Sequence, residues 1–270
     1  MKRHMILVGI FFILGLFIAS CTEKPAFQSS TIEYKTDGET FKGYIAYDGN
    51  KKGRRPGIIV VHEWWGQNDQ VRRRADMLAG LGYTALVVDM FGNGRVANNS
   101  EEAAELAKEV SGNADLRRSR FMAAMDFLRK QETVDPEKIA AVGYSFGGYV
   151  VLQEVLDGAD LRGAVSFYGG VLVNMPDTPG SVKGKILLLQ GEKDWYVTQQ
   201  MITQFKTDMK KTGADYEIIT FKDAEHGYSN PESDALALKY GGMHIKYNEE
   251  ADRKSWDDMR KFLEKVFSKA

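Results

Sequence analysis

The chain of 270 residues contains a single cysteine, so no intramolecular disulfide can staple it, and its stability has to come from a packed core. With only six prolines, no internal repeat and no low-complexity stretch, it excludes fibrous and extended architectures. The formal net charge is −1 and no basic stripe stands out, which argues against nucleic acid as a partner. No Walker A motif is present. The longest apolar run, Met5 to Ala19, falls short of the ~20 residues that a membrane span needs. What is present is an ordinary globular balance, 43% hydrophobic and 27% charged. The length suits one large α/β domain or two small ones.

Residues 1–20 are of a different kind. Lys2, Arg3 and His4 precede the apolar run, and small residues follow it, as in a secretory signal. The end, Ile18-Ala19-Ser20-Cys21, resembles the bacterial lipobox, in which the cysteine is acylated and becomes the mature N-terminus. The expected organisation is a signal peptide (1–20), a lipid-anchored tether (21–30) and one folded domain (31–270). That arrangement implies an exported bacterial lipoprotein held on a membrane through Cys21, facing the periplasm or the cell exterior.

From there on, strand-like and helix-like segments alternate. FKGYIAY (41–47) reads as an early antiparallel strand, and PGIIVVHE (56–63) is continuously apolar, as strands covered on both faces are. Asn68 or Asp69 can cap a helix whose apolar face is Val71, Ala75, Leu78 and Leu81, and Gly82 ends it. Further strands are predicted at 83–91, 138–145, 162–169, 185–191 and 216–222. Helices are predicted at 101–111, 115–131, from Gly147, at 199–212 and near the C-terminus. This alternation predicts a mostly parallel sheet with helices on both faces, and ligands in such sheets bind beyond the carboxyl ends of the strands.

Chemistry gathers at those ends. Gly143, Ser145 and Gly147 make G-x-S-x-G between an apolar strand and a helix start, the sharp turn that exposes a nucleophilic serine. A serine needs an oriented base, and beyond the signal segment the chain offers only His62, His226 and His244. His226 follows a strand, in FKDAEHGYSN, and is the expected base. The acid that orients it is expected at Asp194 in LLLQGEKDW, with Glu192 as the alternative. Ser145, Asp194, His226 is the chain order of α/β-hydrolases. HEWWGQN (62–68) begins like a zinc-protease signature, but H-E-x-x-H needs a second histidine where Gly66 stands, so no metal is expected. GNGRVA (92–97) fits G-x-G-x-x-A, yet the region around Asp115 that should end a strand with an acidic ribose ligand reads as helix, so no dinucleotide cofactor is expected either.

Taken together, HEWWGQN, RRRADMLAGLGYTALVVDMFG, GYSFGG, GEKD and HGYSNP resemble the dienelactone hydrolase family of α/β-hydrolases, over residues 31–268. The resemblance implies that Glu63 reaches the nucleophile in its resting state, and that the backbone N–H groups of Trp64 and Phe146 form the oxyanion hole. Two departures stand out: the family's founders use a cysteine nucleophile and clamp a substrate carboxylate with two arginines. Here the nucleophile is Ser145, Arg95 lies near one arginine position, and no arginine follows His226. Trp64, Phe91, Tyr144, Trp195 and Tyr228 are expected around an apolar pocket, with Arg95, Trp195 and Tyr228 contacting substrate. The function so implied is hydrolysis of small carboxylic esters or lactones through an acyl-serine, without a cofactor. The alternatives are a dormant lipid-anchored binding protein and an acyltransferase or peptidase using the same residues.

Overall fold

The computed structural model describes residues 27–36 and 38–268. The signal peptide and Cys21 lie outside the described residues. The described residues build one eight-stranded sheet with order β1-β2-β4-β3-β5-β6-β7-β8. β1 (Phe27–Thr36) and β2 (Glu39–Asp48) form an antiparallel hairpin, and β2 joins β4 (Thr84–Val87) antiparallel. All later pairings are parallel: β3 (Arg55–Val61) with β4 and with β5 (Val134–Tyr144), then β6 (Gly163–Phe167), β7 (Lys185–Gly191) and β8 (Tyr216–Phe221).

The inner strands are covered on both faces. On one side α2 (Ser100–Ser111), α3 (Ala114–Arg129), α4 (Phe146–Leu156) and α5 (Gln199–Thr212) pack Leu106, Phe121, Val150 and Phe205 against the sheet. On the other, α1 (Asp69–Gly80) and α7 (Glu249–Ser268) supply Val71, Leu78, Met259 and Leu263. This double coverage is why β3 and β7 read as unbroken apolar runs. Asn68 caps α1 as expected, its side chain accepting from the Val71 N–H, whereas Leu81 sits past the last turn and is partly exposed.

Two elements differ from the sequence-based expectation. Residues 27–30, assigned there to the tether, are the start of β1. The strand was masked by its composition: it lies at the sheet edge, mostly exposed, and needs no apolar alternation. A short helix, α6 (Ser233–Tyr240), follows His226 and was not foreseen, because it buries only Ser233 and shows little apolar periodicity.

Candidate active site

The carboxyl ends of β3, β5, β6, β7 and β8 converge on one cavity of about 320 Å³. Ser145 stands at the turn from β5 into α4 with φ 53° and ψ −112°, a conformation that L-residues adopt only under strain. The flanking glycines are required by contact. A Cβ on Gly143 would lie 2.0 Å from the Gly147 carbonyl oxygen, and one on Gly147 would lie 2.3 Å from that of Val61. The Ser145 N–H donates to the Phe167 carbonyl at 2.9 Å, tying the turn to β6.

Ser145 Oγ lies 2.7 Å from His226 Nε2, and His226 Nδ1 lies 2.9 Å from Asp194 Oδ2. The other oxygen of Asp194 accepts the N–H groups of Tyr196 and Val197 at 2.8 and 2.9 Å. A carboxylate so held cannot rotate, and it fixes the imidazole with Nδ1–H toward itself and Nε2 toward the serine. Glu192, the alternative acid, is exposed. The rings of Tyr168 and Tyr196 make T-shaped contacts with the imidazole, their centroids 5.1 and 5.0 Å away. His244 stacks instead on Trp195, at 4.5 Å.

Glu63 differs from its expected place. Its carboxylate is buried at the cavity wall, but both oxygens are taken: Oε1 accepts from Tyr168 Oη at 3.1 Å and Oε2 from Asn230 Nδ2 at 2.8 Å. Among the described residues it makes no hydrogen bond to Ser145, whose hydroxyl belongs to His226. Tyr168, itself at φ 39°, also lies 3.0 Å from Ser229 Oγ. Burial pushes the Glu63 carboxyl above the usual carboxylate range, opposed first by the nearby His226 and then by the Tyr168 and Asn230 hydrogen bonds. Neither Tyr168 nor the role of Asn230 was foreseen. The sequence carries no motif that assigns either residue a role in the site.

His62, adjacent in sequence, points the other way. Its Nδ1 lies 2.6 Å from the Glu63 carbonyl oxygen and its Nε2 accepts from the Met90 N–H, so the neutral ring is locked into the fold. The zinc-like spelling therefore brings no second ligand to Glu63.

Trp64 and Phe146 both line the cavity, and neither backbone N–H has a protein acceptor among the described residues. The three expected substrate contacts are placed elsewhere. Arg95 donates to the Phe91 carbonyl and pairs with Glu109 at 3.0 Å. Trp195 is 66% exposed, outside the cavity. Tyr228 is fully buried in the core, its hydroxyl donating to the Leu189 carbonyl at 3.1 Å. Phe91 and Tyr144 are core residues too. Side-chain direction in a loop follows no fixed period, so the sequence does not say which of two neighbours faces inward. The wall is instead Trp64, Phe146, Val197, Leu236, Met243 and Ile245, the last three from α6 and the segment after it.

Comparison with known proteins agrees with this fold. A dienelactone hydrolase-like promiscuous phosphotriesterase from metagenomic libraries superposes with a TM-score of 0.83 at 28% identity, covering 89% of this chain and 98% of that one. Protein usf of Aquifex pyrophilus is 28% identical over 204 residues, 74% of this chain and 86% of its own. The carboxymethylenebutenolidase homolog of Mus musculus is 27% identical over 193 residues, 70% of this chain and 76% of its own. The model of the dienelactone hydrolase family matches residues 41–267, from the second strand to the end of the last helix. The chain belongs to the dienelactone hydrolase family.

Proposed function

We propose that the protein hydrolyses carboxylic esters or lactones through an acyl-enzyme on Ser145. The observation that carries this is the unbroken chain Ser145–His226–Asp194, at 2.7 and 2.9 Å, on the wall of an apolar cavity. His226 Nε2 takes the Ser145 proton as Oγ bonds to the carbonyl carbon. The oxyanion is received by the Trp64 and Phe146 N–H groups, two donors each worth roughly 3 kcal/mol of barrier. The C–O bond then breaks, and Nε2 returns the proton to the leaving alkoxide. Water, deprotonated by Nε2, attacks the acyl-serine, and the acid departs with Ser145 restored. Asp194 faces the imidazolium formed in each half-reaction, and the Glu63 carboxylate stabilises it from a second side. Steady-state hydrolysis of 4-nitrophenyl acetate tests this: Ser145→Ala should lose at least ~10³-fold in kcat while keeping its fold. Retention of wild-type activity would sink the assignment.

The lipid anchor at Cys21 belongs to the same proposal and has a geometric consequence. Phe27 pairs with Asp48, at the end of the sheet opposite to the cavity, since Tyr44 of β2 already pairs with the last residue of β4. Six residues from Cys21 to Phe27 reach about 20 Å, whereas the ten residues of β1 span about 30 Å. The proposed anchor therefore attaches at the end of the sheet opposite to the cavity. Cys21→Ser in the full chain should move the protein from the membrane to the soluble fraction; unchanged fractionation would contradict the anchor.

A further inference from the structure

The charges around the cavity are one-sided. Among the described residues, no lysine or arginine lines it, while Glu63 does. The nearest guanidinium groups are already committed. Arg74, side chain 7% exposed, bonds to the Ser229 carbonyl and pairs with Asp252 at 2.6 Å. Arg95 is folded onto Phe91 and Glu109. Asn230 has no free end either, since Nδ2 serves Glu63 and Oδ1 accepts the Glu232 N–H at 2.9 Å. The hydrogen-bond donors on Glu63 are a phenol and an amide, both neutral, and His226 and Arg74 act on its charge from a distance, with no ion pair to it among the described residues.

We infer that this cavity selects uncharged acyl groups and rejects esters whose acyl part carries a carboxylate, with Glu63 as the residue that enforces the rejection. The inference rests on the hydrolase reading above and gives its substrate class. A carboxylate entering the cavity loses water, finds no cation, and meets a like charge in a medium of low effective dielectric. The apolar wall of Val197, Leu236, Met243 and Ile245 suits a hydrocarbon chain instead. This separates the chain from relatives whose name, carboxymethylenebutenolidase, specifies a substrate bearing a carboxylate.

A matched pair of esters tests it in the full chain: 4-nitrophenyl hexanoate and the mono-4-nitrophenyl ester of adipic acid. They share leaving group and acyl length and differ by a methyl against a carboxylate. The hexanoate should have a kcat/KM at least about tenfold higher at neutral pH, the order expected for one unscreened like-charge contact. Glu63→Gln should narrow that ratio whatever it does to both absolute rates. Ser111→Arg places a cation at the exposed end of α2 on the cavity rim, and should raise kcat/KM for the adipate ester relative to the hexanoate, whatever it does to both absolute rates. Equal kcat/KM values in the wild type, or a ratio unmoved by both substitutions, would overturn charge selection and leave the hydrolase reading standing. No turnover of either ester by a folded protein would overturn the hydrolase reading and this inference with it.

Discussion

Two carboxylates flank the same imidazole at the ends of two parallel strands, and their surroundings give them different work. Asp194, after β7, holds the His226 Nδ1–H with one oxygen and two backbone N–H groups with the other. Glu63, after β3, is held by a phenol and an amide, touches no cation, and has its carboxyl pushed up by burial. The contrast teaches that partner chemistry, more than position at a strand end, decides what a buried carboxylate does. One orients a base, whereas the other places a charge in the wall of a binding cavity.

The largest expected effect breaks the first member of the pair. Asp194→Asn keeps the size of the side chain but can hold the wrong tautomer of His226, so kcat should fall by roughly 10⁴-fold. A loss below tenfold in pre-steady-state acylation would put the orienting role elsewhere.

Glu63→Gln sharpens the comparison with a smaller effect. Removing a charge that faces the imidazolium should lower kcat by about tenfold, equivalent to about 1.4 kcal/mol. Its stability signature has a definite sign. Because burial raises the Glu63 carboxyl above its unfolded value of roughly 4.3, its contribution to stability is present below that value and lost as pH rises through the folded one. Gln cannot ionise, so the Tm of the variant relative to wild type should climb between pH 4 and pH 8. A difference that stays flat across that range would mean that Glu63 is not desolvated.

Arg95→Ala should do least. Its ion pair with Glu109 is half-exposed and outside the cavity, and such pairs contribute about 0–1 kcal/mol. kcat/KM should stay within about twofold of wild type; a large rise in KM would return Arg95 to the substrate.

Ser145, His226 and Asp194 were legible in the sequence because each stands in a short segment after an apolar strand, where topology alone aims it at one crevice. The parallel sheet was legible from the continuous apolar runs for the same reason. Side-chain direction was not. Tyr228 follows His226 by two residues yet points into the core, and Trp195 follows Asp194 yet faces solvent. Tyr168 and Asn230 come together with Glu63 across 105 and 167 residues of chain, a meeting that no local pattern encodes. The edge strand β1 and the short α6 escaped because neither buries a periodic apolar face.

The most direct test is the intact mass of the protein after exposure to a fluorophosphonate probe, with Ser145→Ala treated in parallel. One adduct on the wild type and none on the variant is the predicted result, since only an oriented and activated serine attacks phosphorus at a useful rate. A folded wild type that stays unmodified, or a variant modified to the same extent, would contradict the catalytic account.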